Sequence, residues 1–91
     1  MSKPSSSQKP VVLVVDDEVL VRMVVAESLT DAGFKVLEAG TARDGLALLE
    51  AHPEISALLT DVGLPGGMTG RELARAARDA HPDLGIMFMT G

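Results

Sequence analysis

The sequence predicts an α/β fold built on an open parallel sheet with helices on both faces. Short apolar runs, often β-branched, alternate with segments of helical periodicity in the order βαβαβαβ. The first run, Val11–Val15, is apolar at every position, which is typical of a strand buried on both faces of a parallel sheet. Because strands and helices alternate, right-handed crossovers should connect the strands. A chain of 91 residues is long enough for one such domain.

The first half of the chain is predicted to supply two strands and two helices. After the first strand, apolar residues between 21 and 32 recur at helical spacing, and Gly33 suits a position just past a helix end. Residues 34–39 have the pattern of a second strand. Thr41 is the expected N-cap of a second helix, which should end at His52-Pro53 because proline cannot continue a helix.

The second half is predicted to supply a strand, a helix and a further strand, at residues 55–60, 71–80 and 86–89. Segment 62–70 carries four glycines and one proline, a composition typical of a loop. Thr69 and Glu72 have the spacing of a capping box, which marks the start of the helix. Residues 1–10 show no apolar periodicity and are predicted to be a flexible N-terminal tail, so that the domain spans residues 11–91.

The composition argues against several classes of function. The chain has 8 Lys and Arg against 13 Asp and Glu, a formal net charge of −5, which disfavours direct nucleic-acid binding. It contains no cysteine, which excludes disulfides, thiolate catalysis and cysteine zinc sites. The longest strongly apolar run is the first strand, which is far too short to span a membrane. These features predict a soluble cytoplasmic protein without a membrane partner.

Polar side chains follow three of the predicted strands. Asp16 and Asp17 come directly after the first strand, Asp61 comes directly after the third, and Thr90 ends the fourth. The carboxyl ends of parallel strands share one edge of the sheet, so these side chains are expected to lie close together. An acidic residue after a strand often only caps the next helix, and one of residues 16–18 could serve that purpose alone.

A cluster of carboxylates at this edge predicts a particular chemistry. Converging carboxylates resist ionising together, and a hard divalent cation relieves their repulsion. Mg²⁺ takes oxygen ligands and often bridges a carboxylate to a phosphate. The cluster is therefore predicted to hold Mg²⁺, and one carboxylate to accept a phosphoryl group, since aspartate is a known nucleophile for phosphoryl groups. Thr90 would then hydrogen-bond a phosphoryl oxygen.

Three segments of the sequence resemble the receiver domain of bacterial two-component response regulators. They read VVLVVDDE at 11–18, LLTDVGLPGGMTG at 58–70 and MFMTG at 87–91. The resemblance implies a flavodoxin-like, doubly wound parallel sheet with order 2-1-3-4 for the strands of this sequence. It also implies a phosphorelay, in which a sensor histidine kinase or a phosphotransfer protein donates the phosphoryl group.

The resemblance assigns roles to single residues as well. Asp61 is the expected phospho-acceptor, and Thr90 is the expected switch hydroxyl that contacts the phosphoryl group. The expected metal ligands are Asp16, Asp17, Asp61 and the backbone carbonyl of Gly63. Among them, Asp17 should bind Mg²⁺ most directly, and Asp16 should act largely through water.

The sequence also departs from the family. Receivers continue past the switch threonine with a fifth strand and two further helices, whereas this sequence stops one residue past Thr90 and has no lysine after Lys35. The family's conserved lysine, which pairs with the acceptor, is therefore absent from it. The strand at 86–89 is expected to lack an outer partner, which invites homodimerisation or segment exchange with a second copy. The helix face around Val21, Val25 and Leu29 is expected to lose cover for the same reason.

Two functions remain open at this point. One is a phosphoryl-accepting signalling domain that assists its own phosphorylation and is not otherwise an enzyme. The other is a phosphorylation-independent binding module, because the lysine is absent. A phosphatase of the haloacid-dehalogenase type is disfavoured, since it needs a second aspartate where Gly63 stands. A dinucleotide site is rejected because no Gly-x-Gly-x-x-Gly follows the first strand.

Overall fold

The chain alternates strands and helices from one end of the described region to the other. The computed structural model describes residues 9–89; residues 1–8 of the expected tail, and Thr90, lie outside the described residues. The elements are β1 (Val11–Val15), α1 (Val19–Asp31), β2 (Lys35–Ala39), α2 (Ala42–Ala51), β3 (Ile55–Asp61), α3 (Gly70–Ala80) and β4 (Gly85–Met89). This order confirms the predicted βαβαβαβ pattern.

The four strands form one parallel sheet in the order β2-β1-β3-β4, as expected. β1 lies between β2 and β3, and its last residue, Val15, is paired with Ala39 on one side and Thr60 on the other. The carboxyl ends of these three strands are therefore level with one another. The strand order reverses direction beside β1, so the crevice at this edge is where ligands bind in open α/β sheets.

The main core lies between the sheet and helices α2 and α3. Alternate residues of β1 belong to it, together with Leu49 from α2, Leu73 from α3 and Leu58 from β3. The remaining β1 residues, Val12 and Val14, are also buried. β1 is thus buried on both faces, as its uniformly apolar sequence predicted. Two side-chain caps start the helices on this face, since Thr41 accepts from the Asp44 N–H and Thr69 forms a full capping box with Glu72.

Helix α1 is the least buried helix of the described region. The least exposed positions are Arg22, Val25, Ala26 and Leu29, which share one face at helical spacing. Val21, on the face expected to lose cover, is 40% exposed, and Val24, the third residue after it along the helix, is 63% exposed. Valines and leucines occur almost all the way round the first two turns, so their spacing does not mark the inner face. Within residues 9–89, every helix is too short or too polar to cross a lipid bilayer.

Candidate metal centre

Three carboxylates converge at the carboxyl edge of the sheet. Asp16 follows β1 directly, Asp17 is the next residue, and Asp61 is the last residue of β3. One carboxylate oxygen from each residue lies within 4.8 Å of the other two. Asp16 is buried, Asp61 is half-buried and Asp17 is exposed. The cluster is therefore anchored in the protein interior at Asp16 and accessible to solvent at Asp17. The strand order brings these residues together, as the sequence predicted.

Asp16 shapes the turn that leads into α1. Its side chain accepts a hydrogen bond from the Glu18 N–H at 2.9 Å, and its own N–H donates to the Ala39 carbonyl of β2 at 3.1 Å. Glu18, the N-cap residue of α1, makes no side-chain cap of its own. Asp16 therefore performs the local structural task that an acid after a strand often performs. The same carboxylate group serves this turn and belongs to the cluster.

Asp61 is held by the loop that follows it. Its carboxylate accepts from the Gly63 N–H at 3.3 Å, and its backbone carbonyl accepts from the buried Thr60 hydroxyl at 3.0 Å. The loop then returns to the end of β3, because the Gly70 N–H donates to the Val62 carbonyl at 3.0 Å. These contacts fix where the carboxylate leaves the strand.

The return of the loop depends on Gly70. A Cβ atom at this position would overlap the carbonyl oxygen of Asp61 and lie 2.9 Å from its carbonyl carbon. Such an overlap with backbone cannot be relieved by a side-chain rotation. Gly66 and Gly67, at the tip of the loop, have φ angles of 90° and 100°, which glycine adopts without strain. The glycines of this loop thus permit a tight path around the end of β3.

Two residues that contact the backbone of the cluster were given no role from the sequence. The Thr60 hydroxyl donates to the backbone carbonyl of Asp61, and Arg22 donates to that of Asp16 at 2.7 Å. A glycine directly after an N-cap threonine was a signal for the close approach at Gly70. Arg22 gave no comparable signal, since charged residues on helices usually face solvent. Thr90, the predicted switch residue, lies outside the described residues.

The donor set fits a hard divalent cation. All three side chains offer carboxylate oxygens, the ligand type that Mg²⁺ prefers. Within residues 9–89, no lysine or arginine forms an ion pair with any of the three carboxylates. In the described part of the chain no protein cation is paired directly with these carboxylates, and a bound metal cation would relieve their mutual repulsion. The Gly63 backbone lies beside the cluster through its N–H contact with Asp61.

Comparison with known proteins agrees with this fold. The family model for the response regulator receiver domain matches residues 12–91. The response regulator receiver protein CpdR of Brucella abortus (strain 2308) is 38% identical over 80 residues, which cover 88% of this chain and 65% of CpdR. The sensor kinase CckA of the same organism is 36% identical over 81 residues, covering 88% of this chain and 8% of the kinase.

A solved structure extends the comparison to three dimensions. The response regulator TrrA of Thermotoga maritima, crystallised in complex with Mg²⁺-BeF, superposes with a TM-score of 0.83 at 27% identity. The alignment covers 89% of this chain and 69% of TrrA. The chain belongs to the response regulator receiver family of two-component signal transduction. It spans 65% of the length of CpdR, somewhat less than two thirds.

Proposed function

We propose that this receiver domain accepts a phosphoryl group on Asp61 from the phosphohistidine of a sensor kinase or phosphotransfer protein. In this proposal Mg²⁺ is held by Asp16, Asp17, Asp61 and the backbone carbonyl of Gly63. The observation that carries the proposal is the convergence of three carboxylates within 4.8 Å at the carboxyl edge of the sheet. Family membership supports it, since receivers are signalling domains of two-component systems.

The chemistry assigns a distinct task to each residue. A carboxylate oxygen of Asp61 attacks the phosphorus atom while the N–P bond of the donor breaks, and the electron pair of that bond returns to the imidazole nitrogen. The product on this chain is an acyl phosphate. Magnesium, when bound, supplies positive charge against the phosphoryl oxygens. Asp17, the exposed carboxylate, would bind the cation most directly, and Thr90 would contact a phosphoryl oxygen in the product, as the family resemblance implies.

The surroundings of Asp61 suit an approach by a bulky donor. Gly63, two residues after the acceptor, has no side chain, and a Cβ atom placed there would have no heavy atom within 4 Å. Gly63 itself therefore adds no side chain that the donor's imidazole would meet. The charge and bulk added to Asp61 then alter which partners the domain binds, and this change constitutes the signal.

The experiment that tests this function is phosphorylation by a small donor. Phosphoramidate contains the same P–N bond as phosphohistidine, and intact-mass spectrometry counts the phosphoryl groups gained. We expect one phosphoryl group with Mg²⁺, none with excess chelator, and its removal by hydroxylamine, which cleaves acyl phosphates. A folded chain that gains no phosphoryl group with Mg²⁺ would overturn the proposal in favour of a phosphorylation-independent binding module.

We also propose that the 91-residue chain associates with a second copy through β4, by strand pairing or segment exchange. β4 pairs with β3 on one side, and no strand of the described region covers its other side. Residues 85–89 carry no charge, and Met87 and Phe88 are 66% and 44% exposed. An apolar edge without charged residues favours pairing with another strand.

Light scattering across a dilution series should reveal this association. We expect the apparent mass to fall towards that of a monomer on dilution, and a Met87→Lys variant to remain monomeric at higher concentration, since lysine on an edge strand opposes pairing. Leu20→Lys, which changes an equally apolar but helical surface position, is the matched control and should associate like the wild type. A chain that is monomeric at every concentration, or an effect of Leu20→Lys alone, would contradict an interface at β4.

A further inference from the structure

We infer that Arg22 is a positioning residue for the acidic pair, holding the peptide group between Asp16 and Asp17 in the orientation that lets the three carboxylates converge. This inference rests on the proposed metal site and adds a residue to it. Arg22 lies in the first turn of α1, outside the carboxylate cluster, and forms no hydrogen bond with Asp17 or Asp61 in the described structure. Its effect is exerted through the backbone.

The guanidinium of Arg22 joins three elements of the fold. Its Nη1 donates to the carbonyl oxygen of Asp16 at 2.7 Å, and its Nε donates to Oε1 of Glu38, on β2, at 3.1 Å. The Arg22 side chain is 18% exposed and its hydrogen bond to Asp16 is partly buried, whereas its contact with Glu38, whose side chain is 41% exposed, lies at the surface. A guanidinium has several N–H groups in one rigid plane, which allows it to hold two acceptors at a fixed angle. The acidic turn is thereby attached to both α1 and β2.

Gly40 provides the space for this arrangement. A Cβ atom at Gly40 would lie 3.3 Å from Nη1 of Arg22, closer than side chains ordinarily approach. Gly40 directly follows β2, so the guanidinium lies across the ends of β1 and β2. The hydrogen bonds of the guanidinium explain why a charged side chain lies on the inner face of α1.

The hydrogen bond from Arg22 to Asp16 holds the peptide group between Asp16 and Asp17. The carbonyl it holds belongs to the peptide group that links Asp16 to Asp17, and the plane of that group sets the direction in which the Asp17 side chain leaves the backbone. The other two contacts of Asp16, to Glu18 and Ala39, involve its side chain and its N–H. Among the described residues, only Arg22 donates a hydrogen bond to the backbone carbonyl of Asp16.

A positioning role and a purely electrostatic role predict opposite changes in metal affinity when Arg22 is replaced. A positive charge near three carboxylates opposes cation binding, so removing the charge alone would strengthen metal binding. Loss of positioning would weaken metal binding, because the three carboxylates would no longer converge on one point. The sign of the change therefore distinguishes a positioning role from a purely electrostatic one.

The test is a titration with Mn²⁺, a paramagnetic substitute for Mg²⁺, with free Mn²⁺ measured by electron paramagnetic resonance. We expect Arg22→Ala and Arg22→Lys each to weaken Mn²⁺ binding by about tenfold, the effect of losing a contact that orients a metal ligand. Lysine keeps the charge but lacks the planar fork. Glu38→Gln should change the Mn²⁺ affinity by less than about twofold, since a glutamine oxygen still accepts a hydrogen bond from Nε of Arg22. Arg75→Ala, an exposed arginine on α3, is the charge control.

A metal-free measurement separates this inference from the metal site itself. The Glu18 amide donates to the Asp16 side chain and so reports on the order of the acidic turn. Its hydrogen exchange should be faster in both Arg22 variants, while the amide of Leu58, in the core, exchanges as in the wild type. Unchanged or tighter Mn²⁺ binding in both variants, or unchanged Glu18 exchange, would overturn the positioning role. A wild-type chain that binds no Mn²⁺ would instead overturn the proposed metal site.

Discussion

An Asp61→Asn variant is expected to gain no phosphoryl group from phosphoramidate and Mg²⁺ under conditions that phosphorylate the wild type. An amide lacks the nucleophilic carboxylate oxygen on which acyl phosphate formation depends. The asparagine oxygen still accepts from the Gly63 N–H, so the loop keeps the contact that the aspartate makes. The loss of phosphorylation should therefore occur without loss of the fold, which circular dichroism on the same sample would check.

Two further variants show whether the effect belongs to this site. Asp79→Asn, on the exposed end of α3, removes a carboxylate elsewhere and should be phosphorylated like the wild type. Asp17→Asn should be phosphorylated about a hundredfold more slowly at low Mg²⁺, the usual scale for losing one electrostatic group from a reaction centre. Excess Mg²⁺ should restore part of that rate, because the defect lies in cation binding. Phosphorylation of Asp61→Asn at the wild-type rate would place the acceptor on another residue.

The topology and the carboxylate cluster could be predicted from the sequence because both follow from local patterns. Apolar runs alternating with helical segments specify a parallel sheet, and residues that directly follow its strands share one edge. Asp16 and Asp61 are adjacent to strand ends in sequence, so their proximity needed no knowledge of packing. β2, β3, α3 and β4 accordingly begin and end within one residue of the predicted bounds.

The supporting contacts could not be predicted because they depend on tertiary geometry. Arg22 is a charged residue on a helix, and only the packing of α1 over β1 and β2 brings its guanidinium to the Asp16 carbonyl. Val21 and Val24 fit the helical periodicity of α1 and yet lie towards solvent. Where apolar residues surround a helix, their periodicity carries no information about which face of the helix packs inward.

A Gly70→Ala variant is expected to be strongly destabilised and to lose the geometry of Asp61. The added methyl group would overlap the Asp61 carbonyl oxygen, lie 2.9 Å from the carbonyl carbon and lie 3.1 Å from the Val62 Cα. All of these atoms are backbone, so relief requires that the end of β3 and the start of α3 move apart. Overpacking of this kind costs about 1–3 kcal/mol or more. A domain with a free energy of unfolding of about 5–15 kcal/mol would lose a large part of it.

The same displacement should disable the site. Separating the two elements breaks the hydrogen bond between the Gly70 N–H and the Val62 carbonyl, and with it the path of the loop around Asp61. We therefore expect a lower midpoint in urea unfolding together with weaker Mn²⁺ binding in the fraction that remains folded. Local unfolding of the loop alone would weaken metal binding with little change in the urea midpoint, and the two measurements distinguish these outcomes.

Gly63→Ala is the matched control for this prediction, because it makes the same chemical change in the same loop. Among residues 9–89, no heavy atom other than those of its chain neighbours lies within 4 Å of the added methyl group, and the φ angle of Gly63 is not positive. Substitutions at such open sites usually change stability by less than about 0.5 kcal/mol. A Gly70→Ala chain as stable as Gly63→Ala, with the same Mn²⁺ affinity, would show that the loop can shift without cost. The close approach of Gly70 to Asp61 would then have no role in holding the acceptor.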